Sequence, residues 1–409
     1  MKPRVLVLTA GYGEGHNAAA RALVAACDAA AGPGTALMVD VFAVAAPRFS
    51  RISRRAYIDL INAVPRLWSA VYAWADRSTI LPRMLGLLRH ERQILAELIA
   101  REQPTVICST YPVYAFLLEK IARARGLATP QFNIVTDSIS INSLWWRAPC
   151  TGWFVPNEDS ADVMRRGGVD PARVHVSGFP VAPFFSAHAS EFSPPDLAGG
   201  EPGRAAAPRV LYIINSGTRG AAETARRLLA ESEWEVTCAV GRDEKLRQQL
   251  APLAANRARP AEILGWTDQI PRLLMTHHVV VSKAGGATTQ EAIAACCPMI
   301  VNQIVPGQEE GNYELLRRHG AGALAETPDA VIAELRRVFA DGGRGWRAWR
   351  EALAPLTRPD AARDIAAQIL ALSSHPAEPV PLSLARATVG GAVPSPRLAA
   401  EAETARATA

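Results

Sequence analysis

None of the six cysteines in this 409-residue chain (Cys27, Cys108, Cys150, Cys238, Cys296, Cys297) forms a Cys-x-x-Cys pair. Zinc and dithiol redox readings therefore fail, and reduced cysteines buried in a cytoplasmic protein are the plain expectation. No uninterrupted apolar stretch approaches the roughly 18 residues of a bilayer span, so any membrane role is played from the surface. Met1 to Thr9 is a short β-type run that leads into glycines, without the long apolar core and cleavage site of a secretory signal. No Asp-x-Asp pair is present, so a metal clamp is not indicated, and no repeat of solenoid type occurs. Charge is modest: the net +5 and pI near 9.0 lean towards anionic partners (nucleotides, acidic lipid surfaces, nucleic acid) without choosing among them.

What is present is an alternation of strand-like and helical runs. Arg4–Thr9, Ala36–Phe42, Thr105–Ser109 and Gln131–Thr136 are strand-like, and Asn17–Ala31 is alanine-rich and helical. Such β-then-α order argues for a parallel sheet covered on both faces. After Phe185 the pattern stops; Ser186 to Pro208 contains SPPDLAGGEPG and reads as a linker or disordered insertion. The alternation then restarts with strands at Arg209–Ile214, Glu235–Val240, His277–Ser282 and Met299–Gln303 and helices at Ala221–Ala230 and Thr288–Ala295. The expectation is two α/β domains, residues 1–186 and 209–343, joined by a linker at 187–208. Helices follow at 344–372, with Trp346 and Trp349 among them, and then an Ala, Pro, Ser and Thr-rich disordered tail at 373–409.

The strongest local signal is Ser282-Lys-Ala-Gly-Gly-Ala-Thr-Thr-Gln-Glu291. A buried strand ends, two glycines turn the chain, and a helix starts. Its free N–H groups and positive dipole end suit a diphosphate. Gly285 and Gly286 allow close backbone approach. Thr288 and Thr289 can cap the helix or bond phosphate oxygens, and Glu291 can accept both hydroxyls of a ribose. The plainer alternative is a capped helix with a solvated Glu. Val305-Pro-Gly-Gln-Glu-Glu-Gly-Asn312 follows the next strand. Neighbouring parallel strands release their loops on one carboxyl edge, so Gln308 and Glu309 would stand beside the phosphate loop and suit sugar hydroxyls. An ordinary helix start, with Glu309 and Glu310 favouring the dipole, is the alternative.

A third glycine turn, Gly11-Tyr-Gly-Glu-Gly-His16, follows the first strand. Gly11 and Gly13 fit the first two glycines of a dinucleotide fingerprint, and Asp40 lies roughly where a ribose-binding acid would sit. The third glycine of that fingerprint is His16 here. Its side chain would obstruct the close helix–strand contact, which argues against a dehydrogenase.

Together, SKAGGATTQEA and PGQEEGN resemble the donor half of the glycosyltransferases that include monogalactosyldiacylglycerol synthase and processive diacylglycerol glucosyltransferase. GYGEGHNAAA is similar to the acceptor-side motif of that family, and Thr136-Asp137 with Trp145, then Gly178-Phe-Pro-Val181, follow in its order. The resemblance covers roughly residues 3 to 330. It implies the GT-B fold, an α/β architecture of two Rossmann-like domains whose parallel sheets face across a cleft. It also implies a UDP-sugar bound mainly to the second domain and inverting transfer of a hexose to a lipid hydroxyl. The UDP-sugar is a co-substrate, and no cofactor is expected. Gly265-Trp266-Thr267 resembles the family's base-binding turn, where Trp266 would stack on uracil. Lys283 would offset phosphate charge, and Gly11, Gly13 and Gly15 would admit the lipid headgroup and sugar. The chain also departs from the family. Asn215-Ser-Gly-Thr-Arg-Gly220 replaces a GGGxG-like turn, leaving Gly217 and Gly220 for the donor. Asn142 stands nearest to a histidine that some members carry, and Gly11 stands where some plant members have aspartate.

Inverting transfer needs a base opposite the leaving group. His16 suits proton removal near neutral pH, and Asp137 would orient it or serve as an alternative base. A His16 that merely caps its helix is the structural alternative. From Pro47 to Arg92 the composition shifts to arginine with interleaved aromatics. Arg51, Arg54 and Arg55 suit anionic headgroups, while Trp68 and Trp74 suit the bilayer interface. No nucleic-acid motif accompanies the charge. The expected partners are therefore a UDP-sugar, a lipid acceptor and an anionic membrane surface, with the protein peripheral on the inner face of the cell membrane. Two competing readings remain: a lipid-linked peptidoglycan-precursor N-acetylglucosaminyltransferase, and a UDP-sugar-binding regulator without catalysis.

Overall fold

Short apolar runs, most of them buried on both faces, make two six-stranded sheets in which every strand pair is parallel. The computed structural model describes residues 4–11, 13–46, 76, 78, 84, 88–198, 206–215, 218, 220–307 and 309–373. Each sheet belongs to its own compact unit. The first unit comprises residues 1–183, 305–314 and 360 onward, and the second 184–304 and 315–359.

In the first unit the strands are Val5–Leu8 (β1), Ala36–Val39 (β2), Val106–Ser109 (β3), Gln131–Ile134 (β4), Gly152–Val155 (β5) and Val174–Val176 (β6). Side chains alternate across a strand. Val5 and Val7 therefore join Leu23, Cys27, Ile365 and Ile369 on one face, while Leu6 and Leu8 join Leu95, Tyr114 and Leu117 on the other. The order is β2-β1-β3-β4-β5-β6. The chain thus moves outward from β1 to β2 and returns on the other side at β3. At such a reversal the loops diverge and leave a crevice at the carboxyl ends of the strands.

The second unit carries Arg209–Ile213 (β7), Glu235–Ala239 (β8), Ala261–Leu264 (β9), Val279–Lys283 (β10), Met299–Gln303 (β11) and Gly322–Leu324 (β12). Their order, β12-β11-β10-β7-β8-β9, reverses between β7 and β10. β10 and β11 are parallel neighbours, as their sequence spacing implies.

Three segments run differently from the sequence expectation. The strand expected over Ala36–Phe42 stops at Val39, because Asp40 caps a short helix, Val41–Ala45, by accepting from the Ala43 N–H. The Pro/Gly-rich stretch after Phe185 belongs to the second unit as far as it is described. Leu197 enters that unit's core against Gly343, where a Cβ would lie 2.7 Å from the leucine Cδ1. The helices expected as one block over 344–372 are divided between the units. The helical segment Pro328–Leu353 is broken at Ala340–Gly343, where three consecutive residues have positive φ. The helix Ala361–Ser373 packs instead on Glu14–Ala31 in the first unit. Pro355 and Pro359, which lack a donating N–H, lie between them. The tail beyond Ser373 is outside the described residues. All six cysteines are free, and five are buried.

Ile365 is fully buried in the first unit's core. Ile365→Ala is expected to cost about 2–5 kcal/mol and lower the melting temperature, read by calorimetry or circular dichroism.

Candidate active site

The first-unit crevice is built by the loops after β1, β3 and β4. After β1 the glycine turn is held open by its neighbours. The Gly11 N–H donates to Asp40 Oδ2 at 3.0 Å, so the acid considered for ribose binding is committed to this loop. The Tyr114 hydroxyl donates to the Thr9 carbonyl at 2.7 Å and accepts from the Val41 N–H at 3.0 Å. Gly13 sits at φ 146°, ψ 139° as the N-cap of the helix Glu14–Ala31, a conformation that L side chains rarely adopt. A Cβ there would lie 3.8 Å from His16 Cδ2, on the edge of the ring that carries Nε2.

His16, the third residue of that helix, is 8 % exposed. Its Nδ1 lies 2.9 Å from the hydroxyl oxygen of Thr136, at the end of β4. The ring meets Tyr111 edge-on at 5.2 Å between centroids and stands 6.3 Å from the Trp145 ring. Burial pulls its pKa down to about 4, opposed by a hydrogen bond with the Thr110 backbone. The imidazole is therefore neutral at physiological pH, the protonation state a base requires.

Asp137 does not orient His16. Its Oδ2 accepts from the Trp145 indole N–H at 2.7 Å, and burial pushes its pKa up to about 6 against that bond. The orienting contact comes from Thr136, one residue earlier, because successive residues leaving a strand point to opposite sides. Trp145 is 1 % exposed, and its carbonyl accepts from Asn133 Nδ2 and from the Trp153 indole. Asn142 is a cap: its Oδ1 accepts from the Leu144 N–H at the start of the 3-10 turn Ser143–Trp145.

In the second unit the crevice between β7 and β10 is tied across its floor. Asn215 Nδ2 donates to Ser282 Oγ at 3.0 Å, and Ser282 donates in turn to the Ile213 carbonyl at 3.1 Å. The replaced glycine turn thus keeps a bond to β10 through its first residue. Gly220 is left-handed at φ 63°, with open space where a side chain would stand. The β10–β11 register shifts between Ser282 and Lys283, just before the turn into the helix Gly286–Ala294. Gly285 is the N-cap and supplies no side-chain cap. The first-turn N–H groups have no acceptor within the helix, so the positive end of its dipole points out of the strand edge.

The two threonines of this turn have different roles. Thr288 is partly exposed beside the helix start. Thr289 is fully buried with its hydroxyl on the Met299 sulfur at 3.8 Å, so it fastens the helix to β11 and cannot bond a phosphate. Lys283 and Glu291 are half-buried, and Trp266 after the edge strand β9 is 70 % exposed, free to stack on a flat ring. Glu309 lies in the first unit, where its Oε2 accepts from the Val305 N–H at 3.1 Å and closes its own turn. Gly217, Gln308 and the surface-binding candidates Arg51, Arg54, Arg55, Trp68 and Trp74 fall outside the described residues. Among the described residues no helix is long and apolar enough to cross a membrane, and no group of three or more His, Cys, Asp or Glu could hold a metal ion.

A family model described as monogalactosyldiacylglycerol (MGDG) synthase matches residues 16–181, from the buried histidine to beyond β6. Curated relatives named processive diacylglycerol beta-glucosyltransferase align along most of the chain. The one from Bacillus subtilis (strain 168) is 23 % identical over 342 residues, 83 % of this chain and 87 % of its own. The one from Bacillus cytotoxicus is 24 % identical over 372 residues, 90 % and 93 %. The chain has the GT-B fold. The family resemblance of its motifs is thereby upheld. Solved structures of the same fold include the calicheamicin glycosyltransferase CalG4, at TM-score 0.58 and 14 % identity, covering 92 % of this chain and 100 % of that one. Os79 from O. sativa in complex with UDP matches at TM-score 0.58 and 12 % identity, covering 90 % and 100 %. What this chain shares with these two is the fold alone.

Two outcomes follow from the buried groups. Thr136→Val leaves a buried ring nitrogen unpaired and should cost about 1–3 kcal/mol, whereas Thr136→Ser keeps the bond and most of the stability. Denaturant unfolding of the two variants separates these. His277 and His278 in the second unit are held, like His16, at about 4 by burial. Between 6.5 and 4 the unfolded chain binds protons at these three sites that the folded chain does not, so stability falls as pH falls. Asp137 opposes this between about 6 and 3.8, since its folded carboxyl takes its proton first. With three groups against one, the melting temperature should drop from pH 7.5 to pH 5.

Proposed function

We propose that this protein is a glycosyltransferase that moves a hexose from a UDP-sugar to diacylglycerol or a related lipid hydroxyl, with inversion, from the inner surface of the cell membrane. The observation that carries the reading is the buried, neutral His16, held at Nδ1 by Thr136, inside the span that matches the MGDG synthase model. The relatives' names supply the acceptor class, and the UDP bound to Os79 in the same fold supports the donor.

In the tautomer whose proton sits on Nδ1, facing the Thr136 hydroxyl, the lone pair of Nε2 takes the proton of the lipid hydroxyl. The oxygen then bonds to the anomeric carbon from the face opposite the diphosphate, and the bond from that carbon to the phosphate oxygen breaks. The departing UDP carries the developing negative charge. In this reading the charge rests on the first-turn N–H groups at Gly286 and on the Thr288 hydroxyl, with Lys283 adding positive charge. Trp266 stacks on the base, and Glu291 holds the ribose hydroxyls. Gly11, Gly13 and Gly15 leave room for the acceptor to reach the ring.

Purified protein, anionic vesicles containing diacylglycerol and labelled UDP-glucose, UDP-galactose or UDP-N-acetylglucosamine test this. The expected product is a labelled monohexosyl lipid of inverted configuration. His16→Ala should lower its formation about 10²–10⁴-fold while UDP binding persists. UDP binding without transfer to any lipid would overturn the enzymatic reading in favour of a regulator. Transfer only to a lipid-linked peptidoglycan precursor would move the acceptor class.

A further inference from the structure

Trp145 stands on a single 3-10 turn, a structure too short to hold itself in water. Asn142 caps it from within. A second set of bonds reaches it from far away in the sequence. Asp76 Oδ1 accepts from the Ser143 N–H at 2.7 Å, and the Asp76 carbonyl accepts from the Ser143 hydroxyl at 2.8 Å. The Arg147 guanidinium, just past the turn, donates to that same Asp76 carbonyl and, at 2.6 Å, to the carbonyl of Ser78. A first-turn N–H has no acceptor of its own, so the Asp76 carboxylate does the work of an N-cap from some 67 residues upstream. The turn it fixes presents the indole N–H to Asp137 and the indole ring to His16.

We infer that Asp76 is a positioning residue for transfer, acting through the Ser143–Arg147 turn to set Trp145 against Asp137 and His16. The inference rests on the reading of His16 as the base. Its requirement is a hydrogen-bond acceptor at the Oδ1 position, not a negative charge, since the partner is a backbone N–H. Asp76 also lies within the arginine- and aromatic-rich segment from Pro47 to Arg92, so that segment is fastened at this residue to the turn beside His16.

The test uses the full chain labelled with 5-fluorotryptophan, the vesicles described above and the UDP-sugar that the wild type transfers. Trp145→Phe assigns the Trp145 fluorine resonance. Asp76→Ala should lower kcat up to about tenfold, the scale of one lost hydrogen bond, with KM for the UDP-sugar within about twofold. It should also shift or broaden the Trp145 resonance. Asp76→Asn keeps an acceptor and should restore both. Unchanged kcat and resonance in Asp76→Ala overturn the inference, as does an Asp76→Asn that behaves like the alanine variant. If Asp76→Ala does not fold, Arg147→Gln weakens the same clamp and must move the same resonance. If the wild type transfers nothing to lipid, the functional reading falls, while the resonance still reports whether Asp76 sets Trp145.

Discussion

The first-unit site depends on an imidazole that is out of water and has one nitrogen already engaged. A solvated histidine rotates and titrates near pH 6.5. His16 does neither freely, because Thr136 holds Nδ1 and the Tyr111 and Trp145 rings flank its plane. Burial lowers its basicity, a cost for the proposed proton abstraction, and fixes its direction, a gain for geometry. The network around it follows from that balance. Asp40 and Tyr114 hold the glycine turn, and Gly13 leaves no side chain beside the His16 Cδ2 edge.

Much of the fold was legible in the residues because buried parallel strands leave a plain signature. VLVL, VICS and VVVSK could be placed within a residue or two. Gly152–Val155 and Gly322–Leu324 escaped notice because three or four residues containing glycine carry no period. The inward turn of Thr289 could have been read, since Thr289, Ala292 and Ile293 form one helical face with the spacing of a core stripe. The exchange of Asp137 for Thr136 as partner of His16 could not, because it depends on how β4 ends. The Asp76 bonds join residues far apart in sequence, and no local pattern encodes them.

The second unit shows what stands in place of a glycine-rich turn. A GGGxG-like turn brings backbone close to a ligand by having no side chains. Here Asn215 stands at its start, and its amide donates to Ser282 Oγ on β10. Gly220, left-handed and with nothing near it, still begins the next helix. What is lost in glycine content is offset by tying the side chain to the sheet.

The path of the chain limits how this protein can be taken apart. It passes between the units at 183/184, 304/305, 314/315 and 359/360. The ten residues 305–314 and the last helix therefore belong with the strands at the amino end, though they are encoded after the glycine turn at Gly285–Gly286. A chimera meant to exchange the second unit with that of a relative cannot be made by a single splice. It must replace 184–304 and 315–359 together, while leaving Ile365 and Ile369 to cover the host's own first helix.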